Sequence, residues 1–218
     1  MNDNIKILAE TDGYIVCVKP KGISSEDHNQ QGMPSMLMRD GKKPLVVHRL
    51  DKEVSGVMVF AKTREYATLI SKQIADKTFK KEYIAVVSGE LQDSAVLEDL
   101  LFFDRAKNKV YPVKRERLGV KKASLEYKRL STVEDSLGTL SLVRVILHTG
   151  RTHQIRVQFA SRKHSILGDK KYGSAIKICS VALFSRMVGF KDFNGEWVEF
   201  CDLPENNFPW NLFSLENL

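Results

Sequence analysis

The stretch Val46-Val47-His48-Arg49-Leu50-Asp51-Lys52-Glu53-Val54-Ser55-Gly56-Val57-Met58-Val59-Phe60-Ala61 decides how this chain is read. Two apolar runs, Val46-Val47 and Val57 to Phe60, carry the β-branched and aromatic residues that strands favour. Between them lie an imidazole, a guanidinium, a carboxylate, a hydroxyl and a glycine. Solvation asks for charge in a loop, but not for this variety between two segments of core. Polar groups at the edge of a core are a common place for chemistry.

Outward from this loop, strand patterns alternate with turns. Ile5 to Val18 alternates around Asp12-Gly13 and predicts a β-hairpin, which Pro20 ends because it cannot continue a ladder. Ser24 to Lys43 is polar apart from Met36-Leu37-Met38 and reads either as a plain linker or as a mobile surface loop that contacts a partner. Thr63 is placed to cap a helix to about Lys77, with Tyr66, Leu69, Ile70 and Ile74 inward and Lys72, Gln73 and Lys77 outward. In the strand that follows, Tyr83, Ala85 and Val87 share one face and Ile84 and Val86 the other, the pattern of a central strand.

Leu91 to Leu101 carries little signal and reads as a connection. Arg105 to Lys122 is basic and poor in core residues, suiting phosphate contact or a solvated hairpin equally. Ser124–Val133 and Thr139–Leu147 predict an antiparallel hairpin around Asp135-Ser136-Leu137-Gly138. Thr152 opens a helix to about Arg162 with Ile155 and Phe159 inward. An apolar run at Ile176–Phe184 precedes a strand at Val188–Phe193, which turns at Asn194-Gly195 into a partner at Trp197–Phe200. Phe208, Trp210 and Phe213 of the tail are expected to dock on the body. Frequent hairpins and few, short helices predict an α+β fold with a mixed, mostly antiparallel sheet.

Composition narrows the class. At 218 residues the chain is expected to form a single domain, residues 1–218, with an ordinary 43% hydrophobic content. No apolar run approaches the ~20 residues that span a bilayer. Met1-Asn2-Asp3-Asn4 lacks the layout of a secretory signal. Cys17, Cys179 and Cys201 are isolated, suggest neither a disulfide framework nor a zinc site, and read as reduced, mostly buried thiols in the cytoplasm. A net charge of +7 favours a polyanionic partner, of which nucleic acid is the commonest.

Four ordered motifs then carry a resemblance. His48-Arg49-Leu50-Asp51 with Ser55-Gly56 resembles the signature loop of the RluA-type pseudouridine synthases. Lys81 to Gly89 is similar to the family's tyrosine strand, Thr149 to Val157 to its arginine motif, and Ile166 to Gly173 to the segment after it. Ile7 to Gly22, with Lys19-Pro20, resembles its first strands. Two positions depart from the pattern: Val54 where Thr is usual, and Gln158 where His is common. The resemblance implies a pseudouridine synthase fold, with the sheet in two halves, flanking helices and the active cleft across the middle. It implies an isomerase that turns specific uridines of structured ribosomal or transfer RNA into pseudouridine, without cofactor or metal. The family often carries a small S4-type RNA-binding domain ahead of the catalytic one. Here the catalytic pattern begins almost at residue 1, so that domain is expected to be absent. No membrane and no obligatory protein partner is expected, and a monomer is.

Moving uracil from an N1 link to a C5 link requires that the glycosidic bond break, that the base be held while it rotates, and that a proton leave C5. Asp51 is the first candidate, as nucleophile or as base. A carboxylate in a dry site needs a cation to stay ionised; Arg156 can supply it, and the resemblance assigns it that role. Tyr83 can stack on the base, and the resemblance also offers its phenol for the C5 proton. Arg49 is carried over as the side chain that fills the gap left by a flipped-out base. His48 stands with it in the RNA-facing set and is read as bracing the loop. Arg151 and His153 are assigned to helix support or phosphate contact, and Lys19 and Lys81 are further RNA-facing candidates. The rival from another class is a non-catalytic RNA-binding or RNA-chaperone protein on the same fold, distinguished by RNA binding without a modified nucleoside.

Overall fold

The computed structural model describes residues 5–176, 180–216 and 218. β1 (Ile7–Glu10) and β2 (Tyr14–Lys19) form the expected hairpin, and β2 stops before Pro20. The following segment is less loose than its polar sequence suggests. It contains a short helix, α1 (Met33–Met36), and Met33 and Leu37 are buried. β3 (Leu45–Val46) leads into the signature loop and β4 (Ser55–Ala61) leaves it. α2 (Arg64–Ala75) is capped where expected, the Thr63 hydroxyl accepting from the Tyr66 N–H. Gln73 departs from the outward position assigned to it. It is buried and exchanges two hydrogen bonds with the main chain of Lys191, both 2.8 Å, so its amide acts as a surrogate for a neighbouring strand.

β5 (Lys80–Ser88) is buried on both faces from Glu82 to Val87. The segment read as a connection after Leu91 is instead a long strand, β6 (Ser94–Asp104). Leu97 and Leu101 face inward, but Asp99 lies between them in the alternation and hides the strand pattern. That carboxylate is satisfied by Gln158 and Arg162, both at 2.8 Å. The basic stretch supplies β7 (Lys109–Val113) and the start of β8 (Val120–Asp135), which pairs with β9 (Gly138–Leu147) as expected. α3 (Gln154–Ala160) is shorter than its pattern predicts and is buried from Gln154 to Phe159. β10 (Leu183–Lys191) begins before the predicted strand and pairs with β11 (Trp197–Cys201). The middle of the apolar run at 177–179, Cys179 included, lies outside the described residues, as does Met1 to Asn4. Cys17 is buried and Cys201 is exposed, against the expectation of mostly buried thiols. Trp210 and Phe213 of the tail are buried.

The chain divides into two compact units. The first comprises Met1–Glu82 and Phe184–Pro204. Its strands run in the order β1-β2-β4-β10, with β11 added to β10 and β3 to β4. β4 is antiparallel to β2 and parallel to β10, which makes the sheet mixed. Tyr14, Val16, Val57, Val59, Ile70, Phe79, Val188 and Phe190 form its core, with Tyr14 edge-on to Phe190 at 5.3 Å. Each such side chain contributes roughly 1.5–3 kcal/mol through burial. The second unit comprises Tyr83–Leu183 and Glu205–Leu218. Its strands follow the order β5-β9-β8-β6-β7, and the pairs β9/β8, β8/β6 and β6/β7 are antiparallel. Leu101, Val110, Ala123, Val157 and Tyr172 pack together beneath α3. The whole is an α+β architecture with mostly antiparallel pairing and few helices.

Gly56 shows why the signature loop ends as it does. Its φ is +128°, and a Cβ there would lie 2.3 Å from the Ser185 carbonyl oxygen and 2.4 Å from the Ser185 nitrogen. Both are main-chain atoms of the strand registered against it, so no side-chain rotation relieves the clash. Gly56→Ala is therefore expected to destabilise the protein by about 3 kcal/mol, read as a lower urea midpoint; an unchanged midpoint would show that the β4–β10 approach is not obligatory.

Candidate active site

The loop that presents Asp51 is built from polar side chains satisfied by main-chain atoms. Lys19 is completely buried, and its Nζ donates to the carbonyls of Pro20 (2.8 Å), Ile23 (2.9 Å) and Lys52 (3.2 Å). One ammonium thus ties the turn after β2 to the residue next to Asp51. Burial lowers its pKa to about 8, while the charges of Asp51 and Glu53 pull the other way. An RNA-facing role for Lys19 is excluded by this burial. The sequence pattern could not separate a structural lysine from a phosphate-binding one, since both are a cation beside a turn.

His48 fills a gap in a strand ladder. β3 covers β4 only at Phe60 and Ala61, and β10 only at Ser55 and Gly56. Between them the Val59 N–H donates to His48 Nε2 at 3.1 Å, and the Val57 carbonyl accepts from the Ser185 hydroxyl at 3.0 Å. The imidazole is buried, and burial followed by the charge of Lys81 holds its pKa well below the usual value. It is neutral, as an Nε2 acceptor must be. Lys81 lies over the Phe79 ring at 5.7 Å, and burial lowers its pKa too. Arg49, beside His48, points the other way. It is 59% exposed and donates to Glu26 Oε2 at 2.8 Å. Asp51 is half-buried, and its carbonyl accepts from the Val54 N–H at 3.0 Å in the loop's turn.

In the second unit Tyr83 is buried on β5. Arg156, on α3, is 4% exposed. Asp169 grips it from one edge, Oδ2 accepting from Nε at 2.7 Å and Oδ1 from Nη2 at 2.9 Å. A fork of this kind fixes direction as well as charge. The Cζ of the same guanidinium lies over the Tyr172 ring, 5.3 Å from its centroid. His153, at φ +50°, stands just before α3 and shares a 2.8 Å hydrogen bond between its Nδ1 and the Tyr172 hydroxyl. Arg151 is exposed and donates from Nε to the Lys122 carbonyl at 2.9 Å. The structure therefore groups Arg156, His153, Asp169 and Tyr172. The last two belong to the Gly168-Asp169-Lys170-Lys171-Tyr172-Gly173 run, which carried a family resemblance but no assigned role. The signal that could have found Asp169 is chemical: a guanidinium on a helix buried over six successive residues needs a carboxylate.

A profile of the RNA pseudouridylate synthase family matches residues 13–161. An uncharacterized RNA pseudouridine synthase of Aquifex aeolicus is 34% identical over 174 residues, 73% of this chain and 52% of that protein. The large-subunit pseudouridine synthase D of Borreliella burgdorferi is 34% identical over 187 residues, 79% of this chain and 56% of its own length. The tRNA pseudouridine synthase C of Haemophilus influenzae is 33% identical over 178 residues, 74% and 73%. Among solved structures, human RNA pseudouridylate synthase domain containing 1 superposes with a TM-score of 0.78 at 19% identity, covering 96% of this chain and 86% of that one. Human RNA pseudouridylate synthase domain containing 4 gives 0.75 at 22%, covering 92% and 89%. The chain belongs to the RNA pseudouridylate synthase family, and the fold is that of these structures. It spans about half the length of the first of its curated relatives.

The buried imidazole makes stability depend on pH. In the unfolded chain His48 titrates near ~6.5; in the folded chain it titrates lower. Between those values the unfolded state binds more protons, so stability is present above the unfolded pKa and falls as pH drops through that window. His48→Gln can still accept from Val59 without titrating. It is expected to flatten the fall in melting temperature between about pH 7 and pH 5; an unaltered slope would assign the effect to other groups.

Proposed function

We propose that this protein is a cofactor-free RNA pseudouridine synthase that isomerises specific uridines in structured ribosomal or transfer RNA in the cytoplasm. The observation that carries this reading is the family match over residues 13–161, which contains Asp51, Tyr83 and Arg156 together. Asp51 is the nucleophile or base, with Tyr83 and Arg156 acting on the same nucleoside. The loop geometry supports the choice of Asp51: Lys19 and His48 hold the main chain on either side of it, so the carboxylate is delivered by a braced loop.

The Nε–Nη2 edge of Arg156 is engaged by Asp169, which fixes the direction of the guanidinium. Arg49, exposed beside Asp51 and lightly held by Glu26, suits the role of occupying the space of an extruded base, since exchanging a surface ion pair costs ~1 kcal/mol or less. The positive stretch from Arg105 to Lys122, which runs through β7 into the start of β8, supplies phosphate contacts in this reading. Relatives named for ribosomal and for transfer RNA both match at similar identity, which supports the substrate class and leaves the choice between them to experiment.

Asp51→Ala is expected to abolish pseudouridine formation, with fold and RNA affinity retained. The measurement is nucleoside analysis of large-subunit ribosomal and transfer RNA transcripts after incubation, beside a filter-binding titration. Product formed at the wild-type rate by the variant would overturn the assignment.

A further inference from the structure

We propose that Tyr172 is a positioning residue for the isomerisation. Its ring is the fixed template against which the guanidinium of Arg156 is set. The inference rests on the pseudouridine synthase reading above and extends it to a residue outside the three carrying the chemistry.

The argument starts from what holds the ring. Tyr172 is 8% exposed, and its hydroxyl is bound twice, accepting from the Val110 N–H at 2.9 Å and sharing a hydrogen bond with His153 Nδ1 at 2.8 Å. Its own N–H donates to Asp169 Oδ1 at 3.2 Å. Both ends of the side chain are thus pinned by groups other than Arg156, so the ring plane is set independently of the guanidinium lying 5.3 Å from it. The ring leads and the guanidinium follows.

Asp169 completes the clamp. It is fully buried, and its Oδ1 also accepts from the Lys171 N–H at 3.1 Å. Asp169 therefore cannot swing with Arg156. One turn, Asp169 to Tyr172, thus holds the guanidinium by a carboxylate fork and by a ring. A buried ion pair is a poor device for stability alone, because an apolar replacement of similar volume often serves as well. Holding a charged group to within a fraction of an ångström in advance of the reaction is what such a support does well.

The same ring carries a second load. Lys109 Nζ lies 5.5 Å from its centroid, and Lys171 Nζ donates to the Asn108 carbonyl at 2.8 Å. The basic turn between β6 and β7 is therefore anchored on the segment that orients Arg156, so the phosphate-contacting stretch and the clamp share one support.

The test separates ring from hydroxyl. Tritium released from C5 of labelled uridine in large-subunit ribosomal and transfer RNA transcripts gives kcat and KM, normalised to the folded fraction by circular dichroism. Tyr172→Leu, which removes the ring, is expected to lose on the order of 100-fold in kcat with KM little changed. Tyr172→Phe keeps the ring while losing both hydroxyl bonds that pin its outer end, and is expected to fall between wild type and Tyr172→Leu, losing on the order of 10-fold in kcat with a lower melting temperature. Equal losses in the two variants, or losses that track unfolding alone, would overturn the proposal. So would wild-type kcat in Tyr172→Leu. A wild-type protein that releases no tritium from any transcript overturns the underlying reading and this one with it. Active wild-type protein that needs Arg156 but not the Tyr172 ring overturns the clamp alone.

Discussion

A guanidinium that is 96% withdrawn from water must meet a carboxylate, and in this chain the meeting of Arg156 with Asp169 organises the second unit. Leaving either partner alone would cost roughly 3–5 kcal/mol. The turn from Asp169 to Tyr172 is therefore obliged to sit against α3, and it brings the Tyr172 ring with it. Its hydroxyl then accepts from the Val110 N–H and draws β7 toward the helix. Helix, turn and outer strands are coupled through one charged contact.

The first unit solves a different problem by related means. Its signature loop interrupts strand pairing, and the exposed main-chain groups must be satisfied or hydrated. Lys19 and His48 do this with side-chain atoms buried in the sheet's end. Each carries a cost of its own: the ammonium is easier to deprotonate than a free lysine, and the imidazole has given up protonation in the ordinary range. What is gained is a loop with little freedom to move around Asp51. Preorganisation of this kind is a recurring requirement where charge develops during a reaction.

Much of this was legible before any coordinates. The β1–β2 hairpin, the capped helix α2, the doubly buried strand β5 and the β8–β9 hairpin all follow from periodicity and turn residues, because local rules act within a few residues. β6 did not, since Asp99 occupies an inward position and breaks the alternation that marks a strand. Its pairing with Gln158 and Arg162 explains why the chain tolerates it. Gln73 departs from its helical pattern for the same kind of reason: an amide on a helix looks solvent-facing unless a strand end lies opposite it.

By itself the sequence determined the class of fold, the position of the Asp51 loop and the family, since these reside in motifs whose residues are neighbours along the chain. Tertiary structure alone decided who partners whom. Long polar side chains such as Lys19, Gln73 and Arg156 can reach in many directions. Which direction each takes depends on what the folded chain leaves unsatisfied nearby, and that is set by packing, with no trace in local spacing.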